Sequence, residues 1–478
     1  MNTSALFENL SVLLPEIVLI VGAMIVMMAD IFRRRQGEAG ILPGLSLVTL
    51  LASMGAAVYV WNQPTASYMG GATSDTFSLG VRLVVGIAAI FGVLLSGDYL
   101  PIIRKQSGEY YSLLLLTASG MMLMGSATDL IVLFVALEIF SLGLYILSGF
   151  YRENPRSTEA AMKYFLLGAF ASSFFVYGAA LLYGAGGSTN YAAIGTALGS
   201  GAGNLGLALP GIALLVVGFG FKVSLVPFHM WTPDVYQGAP TPITAFMSVG
   251  TKTAAFAGFI RVLMIALPSL QPQWGMALAI LAVVTMTVGN LTALRQTSIK
   301  RMLAYSSVAH AGYLLVGVVP GTTEGSSAAI FYLFAYAFMN IGAFAVAIAM
   351  EKAGEGDVDQ SRLAGISARY PMLALAMAIF MLSLAGIPPL AGFFGKFFLF
   401  KAAVDGGWAW LVAVGVLNSA ISAYYYLRVT VTMYFSDATE VVERRMWAGL
   451  NASVVIAAVA TVVIGLYPSL WTGLLGGL

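Results

Sequence analysis

The 478-residue chain has no cysteine, which excludes disulfides, thiolate chemistry and cysteine-ligated iron–sulfur clusters. Histidine is nearly absent: His229 and His310 are the only two, and we read them as serving ends other than haem ligation. No GxGxxG or GxxxxGK[ST] run stands between a strand and a helix, which argues against a nucleotide site. Charge is scarce as well. Only 9% of residues are Asp, Glu, Lys or Arg, the formal net charge is +2, and the basic residues form neither stripe nor tail to bind phosphates. What fills the chain is apolar: 59% of residues are hydrophobic and the mean hydropathy is +0.89. A soluble fold of this length cannot hide that much apolar surface, so the solvent is lipid.

Apolar runs of about 20 residues number fourteen. Among them are the fifth at 129–150, the seventh at 208–231, the eighth at 239–267 and the twelfth at 371–401. The first run precedes its arginines rather than following them, so it reads as a retained transmembrane helix and not a cleaved signal. With the N-terminus outside, odd-to-even loops face the cytoplasm. They collect Arg33, Arg34, Arg35, Arg104, Lys105, Arg152, Arg156, Lys163, Arg295, Lys300, Arg301, Lys352, Arg362, Arg369, Arg444 and Arg445, which is 16 of the 23 basic residues. That bias sets the expected orientation, with the N-terminus outside. The glycine-rich stretch 184–204 reads as a surface loop.

Four ionisable groups break the apolar pattern: Glu138 in LFVALEIFSLG, Lys222 in GFGFKVSLVPF, Lys252 in SVGTKTAAFAG and Lys396 in LAGFFGKFFLF. Each charge at a bilayer centre costs at least roughly 2.5–3.5 kcal/mol, and such residues usually mark ion or proton paths. Prolines stand beside them. Pro227 follows Lys222, Pro240 and Pro242 open the eighth segment, and Pro388 and Pro389 precede Lys396. Proline removes a backbone donor and clashes with the preceding turn, and broken helices beside intramembrane charge are a transporter device. Glu138, Lys222 and Lys252 are followed by His310, Lys396 and Arg428 at offsets of 172–176 residues. That spacing suggests two inverted five-helix repeats, helices 4–8 and 9–13. The expected organisation is three N-terminal helices in 1–105, repeats in 106–270 and 271–436, and a last helix in 437–478. The expected fold is all-α and integral to the membrane, with helices 7 and 12 broken.

A free lysine titrates near ~10.4, but burial and a neighbouring cation both disfavour the ammonium, whereas a nearby carboxylate favours it. Glu138 approaching or leaving Lys222 would therefore switch that amine between holding and releasing a proton. Lys252 would receive the proton and Lys396 would pass it outward. Ser224, Thr251, Thr253, Ser306 and Ser307 offer hydroxyls for the gaps, and His310 could relay between Lys252 and Lys396. A structural pair accounts for Glu138 and one lysine; three lysines against one glutamate leave positive charge that packing does not explain.

The run KVSLVPFHMWTPDVYQGAPTPITAFMSVGTK (222–252) strongly resembles the antiporter-like membrane subunits of respiratory complex I, the proton-translocating NADH:quinone oxidoreductase, and the related Mrp-type cation/proton antiporters. LFVALEIFSLGLYIL, KRMLAYSSVAHAGYLLVG and LSLAGIPPLAGFFGKFFLF extend the likeness over helices five to thirteen. Lys396 and the wording GIPPLAGFFGKF resemble the subunit N branch. The resemblance implies that Glu138, Lys222, Lys252 and Lys396 line a proton channel. It also implies that FMN, iron–sulfur clusters and quinone belong to partner subunits, and that this chain carries no cofactor or metal of its own. Its partners would be other complex I membrane subunits and the lipid bilayer, without nucleic acid. His229 and Asp234 lie inside the signature, where a structural role and a proton-intake role both remain open. The alternative is an Mrp-type antiporter subunit. A sodium site there would want several carboxylates or helix-break carbonyls.

Overall fold

Lipid offers no hydrogen bonds, so each crossing must satisfy its own backbone, and a helix does that within one segment. The computed structural model follows this rule; it describes residues 9–32, 40–103, 105, 107–351, 356–437 and 447–475. The helices are α1 (Leu14–Phe32), α2 (Ile41–Trp61), α3 (Thr76–Tyr99), α4 (Gly108–Ser126), α5 (Leu130–Ser148) and α6 (Pro155–Gly186). They continue with α7 (Leu205–Val223), α8 (Trp231–Gly238), α9 (Thr241–Arg261), α10 (Gln271–Ala293), α11 (Ile299–Val318) and α12 (Thr323–Met350). The chain closes with α13 (Pro371–Ala385), α14 (Ala391–Asp405), α15 (Ala409–Phe435), α16 (Ala448–Leu466) and α17 (Pro468–Leu475). Among the described residues, 11 helices are long and apolar enough to cross a membrane by themselves. The more polar α4 and α11, of 19 and 20 residues, match them in length.

Helix α12 is apolar on every side, and its span is wholly buried, as expected of a helix at the centre of a bundle. Helix α9 packs on it and is nearly as enclosed. Helices α2, α6 and α15 lie at the rim and present Leu, Val, Phe and Tyr side chains outward. Apolar side chains thus face outward as well as inward, unlike the usual soluble pattern.

The seventh and twelfth segments are broken where the prolines stand. Residues 224–230, with Pro227, separate α7 from α8; residues 386–390, with Pro388 and Pro389, separate α13 from α14. The eighth segment is not broken. Pro240 is the residue before α9 and Pro242 lies in its first turn, where a missing N–H costs nothing.

Three expectations change. The stretch 184–204 is not only loop: Asn190 caps a short helix, Tyr191–Gly199, through bonds to Ala192 and Ala193. Its Tyr191 and Ile194 are buried, and Gly195 allows contact with the turn at Ile265, whose carbonyl a Cβ would meet at 2.4 Å. A two-stranded hairpin, β1 (Ala66–Tyr68) and β2 (Ala72–Ser74), joins α2 to α3 in an otherwise helical chain. Lys300, read as a loop cation, is fully buried in the first turn of α11. Its ammonium donates to Ala239 O (2.9 Å), Gly356 O (2.7 Å) and Thr241 Oγ1 (3.1 Å), tying the end of α8 to the chain beyond α12. Arg33, Arg34, Arg35, Arg104, Lys352, Arg444 and Arg445 lie outside the described residues.

Two further ion pairs pin the N-terminal helices. Arg82 on α3 forks onto Glu16 of α1 and the Val12 carbonyl, all buried. Arg261, at the end of α9, meets Asp75, the residue that caps α3, at 2.6 Å. Burial pushes the Asp75 carboxyl up, but the Arg261 guanidinium and the Ser78 bonds hold it below the usual carboxylate range.

Candidate functional site

A helix end leaves carbonyls without partners, and both breaks close some of them in the same way. At the end of α7, Ser224 turns left-handed (φ 66°), Leu225 N–H bonds Gly220 O (2.7 Å) and Ser224 N–H bonds Phe221 O (3.2 Å). At the end of α13, Gly386 turns left-handed (φ 90°), Ile387 N–H bonds Leu382 O (3.0 Å) and Gly386 N–H bonds Ser383 O (3.0 Å). Both are Schellman closures, which here use the fourth- and third-last carbonyls of the helix and leave the final two open.

Lysine ammonium groups take those remaining carbonyls. Lys252, from the middle of α9, donates to Val223 O at 3.1 Å. Lys396, on the second turn of α14, donates to Ala385 O at 3.0 Å and Leu384 O at 3.3 Å, with its nitrogen 4.7 Å from the Tyr313 ring centre. Both amines are buried. Each therefore sits against the negative end of a half-helix, where a cation is favoured.

Lys222 is different. It occupies the last turn of α7 and is buried, yet its nitrogen reaches no carbonyl. It donates to the Tyr145 hydroxyl at 3.4 Å and stands 5.1–5.6 Å from the ring centres of Phe140, Tyr145, Tyr164 and Phe221. Aromatic faces stabilise an ammonium less than a carboxylate does and hold it less firmly.

Glu138 does not pair with Lys222 in this conformation: no nitrogen–oxygen contact within 4.0 Å joins them. Its carboxylate instead accepts from Ser172 of α6 at 2.5 Å, half-buried on the α5–α6 face. Tyr145, two helical turns further along α5, stands nearer the amine, so the expected direct contact is replaced by a phenol. Glu138 and Lys222 lie on separate helices, and sequence spacing does not fix how far apart those helices hold them.

His310 lies on α11, buried against α12 and α15. Its Nδ1 meets the Tyr332 hydroxyl, its Nε2 meets the Tyr426 hydroxyl at 3.0 Å, and Tyr426 also meets Ser306. Of the remaining candidate hydroxyls, Ser224 accepts from Thr232 (2.7 Å) and Thr253 is spent on its own helix backbone. Thr251 and Ser307 are buried without a protein hydrogen-bond partner, as is Tyr336. Arg428 bonds the carbonyls of Leu294 and Gln296, closing the α10–α11 turn. Asp234 bridges Lys163 (2.6 Å) and Arg301 (2.8 Å) from the first turn of α8, while His229 stands in the linker, half-exposed.

The tyrosines at 145, 332 and 426 were missed in the sequence, as were Lys300 and the Glu16–Arg82 pair. Tyrosine is common in apolar segments, and Lys300 was masked by Arg301 beside it. Among the described residues, no cluster of three or more His, Asp or Glu side chains is arranged to hold a metal.

A polytopic helical bundle with broken helices and amines lodged at the breaks is a membrane protein built around an internal ion path. The chain belongs to the family described as NADH:quinone oxidoreductase/Mrp antiporter, TM, whose pattern it matches over residues 127–422. It is 47% identical to NADH-quinone oxidoreductase subunit N of Trichlorobacter lovleyi over 477 residues, 98% of this chain and 97% of the relative. Subunit N of Chloroflexus aggregans is 45% identical over 96% of this chain and 95% of its own length. Among solved structures, a chain of respiratory complex I from Thermus thermophilus with bound aureothin superposes with a TM-score of 0.83 at 37% identity, covering 97% of this chain and 100% of that one. A chain of the Mrp complex from Dietzia sp. shares the fold, with a TM-score of 0.85 at 21% identity over 100% of this chain and 97% of its own.

Proposed function

We propose that this chain is the proton-translocating N subunit of a bacterial NADH:quinone oxidoreductase, a multi-pass protein of the inner membrane with its N-terminus periplasmic. The observation that carries the reading is the seating of Lys252 and Lys396 on the half-helix ends of a chain so similar to subunit N. Each amine can surrender its proton to a neighbour and keep a polar berth.

In this reading Lys222 gains and loses protons in its aromatic cage, Lys252 receives them, His310 relays and Lys396 passes them outward. Glu138, held by Ser172 on the α5–α6 face, biases Lys222 by moving toward or away from Tyr145. Water fills the space beside the hydroxyls of Thr251, Ser307 and Tyr336. Residues 106–270 and 271–436 act as two inverted halves, flanked by 1–105 and 437–478. Flavin, iron–sulfur clusters and quinone stay in partner subunits. Moving one charge against 100 mV costs about 2.3 kcal/mol, so neighbours along the membrane arm must deliver redox energy to this chain. The Mrp antiporter reading has the weaker support, since that likeness falls to 21% identity.

Replacing Lys222 with Ala in the assembled complex tests the reading. NADH-driven acidification of vesicles should lose this subunit's share, while flavin and iron–sulfur absorbance still co-purify. Normal pumping by that variant would remove the relay.

A further inference from the structure

The relay rests on His310, and the geometry around that ring says how it works. His310, Tyr332 and Tyr426 come from three helices, α11, α12 and α15, and all three are buried. Both ring nitrogens face phenols: Nδ1 the Tyr332 hydroxyl and Nε2 the Tyr426 hydroxyl. Ser306, one turn before His310, extends the row beyond Tyr426. At the other end, Tyr332 packs on Gly395, where an added Cβ would meet its ring at 2.6 Å, so it lies beside Lys396 on α14.

A neutral imidazole offers one N–H and one bare nitrogen, whereas a hydroxyl both donates and accepts. The row therefore has two hydrogen-bond polarities with the same contacts. In one, Tyr426 donates to Nε2 and Nδ1–H donates to Tyr332. In the other, every donor and acceptor is exchanged. The charges of Lys396 and Lys252 both bear on His310. A ring that passes a proton without storing one avoids a third cation between two others.

We propose that Tyr332 and Tyr426 are proton carriers, and that with His310 they form a tautomer turnstile between the Lys252 and Lys396 sides of the path. A proton arrives on the Tyr426 oxygen from the Ser306 side, and the original phenolic proton moves to Nε2. Nδ1–H passes to the Tyr332 oxygen, whose own proton leaves toward Lys396. One proton enters and one departs; each O–H or N–H bond broken is matched by one formed, and the ring is neutral before and after. The polarity is then reversed. No second proton follows in that direction until these hydrogen bonds break and the ring resets, which limits the row to one proton per conformational cycle.

This rests on the proposed proton path, and the test separates the two. Tyr332→Phe, Tyr426→Phe and His310→Gln are made in the full complex beside Lys396→Ala, and NADH-driven acidification of vesicles is compared with NADH oxidation. Glutamine keeps one donor and one acceptor but cannot exchange them. All three variants should lose as much pumping per NADH as Lys396→Ala. Normal pumping by any of them, with Lys396→Ala defective, overturns the turnstile and leaves the path standing. Normal pumping by Lys396→Ala as well overturns both. Should a phenylalanine variant fail to assemble, 3-fluorotyrosine at that position decides. It keeps the ring and the hydrogen bond while making the hydroxyl more acidic, and coupled turnover should change by about twofold or more. Unchanged turnover overturns the proposal.

Discussion

The two breaks share a backbone solution and differ in who supplies the cation. At α7–α8 the ammonium comes from elsewhere, Lys252 on α9, while the break's own Lys222 sits in an aromatic cage. At α13–α14 the break serves itself, because Lys396 on the second half-helix reaches back to the carbonyls of the first. Sequence offset pairs Lys222 with Lys396, yet by contact Lys396 is the counterpart of Lys252. The spacing of charges thus tracks helix placement, and chemistry follows which carbonyls each amine can reach. In the proposed relay, one break has a spare lysine free to change its protonation without uncapping a helix, and the other has a lysine that would do both tasks, with His310 and two tyrosines beside it.

The largest expected effect comes from separating these two tasks. Lys396→Ala should abolish this subunit's pumping and also uncap two carbonyls, each charge-assisted bond being worth about 1.5–3 kcal/mol. Lys252→Ala should abolish pumping with a smaller loss of thermal stability, since only Val223 O is released. Arginine at either position should restore much of the stability and none of the pumping, because guanidinium stays protonated. Midpoints of thermal inactivation in solubilised complex, read with vesicle acidification, check both. Equal stability losses for the two alanine variants would erase the asymmetry between the breaks.

The helical membrane fold was legible because lipid imposes a simple signal, apolar runs of about 20 residues, and charge is rare enough for each intruder to stand out. The breaks at Pro227 and at Pro388–Pro389 were legible for the same reason. Contacts between helices were not. Glu138 and Lys222 looked like partners, but Ser172 and Tyr145 take their places. Glu16 and Arg82 are 66 residues apart, and each alone reads as an end-of-span charge, so their buried fork had no local signature. Lys300 had a signal that points the wrong way, since a Lys-Arg pair at a segment's edge normally marks the water side. Only the packing of α8, α9 and α11 encloses the first member and leaves Arg301 outside.

A middle-sized effect should come from the left-handed residues of the breaks. Gly386 has φ 90°, and a Cβ there would come 3.1–3.3 Å from Cδ and Nζ of Lys396. Gly386→Ala should therefore destabilise by roughly 1–2 kcal/mol through backbone strain and shift the ammonium, lowering pumping in step. Ser224, at φ 66°, already bears that strain, and its hydroxyl recovers some through Thr232. Ser224→Gly should be close to neutral, relief of strain offsetting the lost hydrogen bond. The pair of variants sharpens the comparison: one break is tuned around a glycine that leaves room for its lysine, and the other tolerates a side chain because its lysine arrives from another helix.

The smallest effect concerns how each second half-helix is anchored. Asp234 fastens the first turn of α8 to Lys163 of α6 and Arg301 of α11, with all three side chains between 28% and 41% exposed. Near the end of α14, Lys401 and Asp405 pair only within their own helix. Exposed pairs are worth about 0.2–1 kcal/mol, and less in salt. Asp234→Asn should lower the thermal midpoint slightly at low ionic strength, and the difference should shrink as salt is added. Asp405→Asn should lower it less, because no second helix is released. Helix α8 is held from outside in its first turn, just as the break before it takes an outside lysine. A larger, salt-insensitive loss for Asp234→Asn would mean that the carboxylate does more than anchor, and would return it to the proton-intake role that the signature left open.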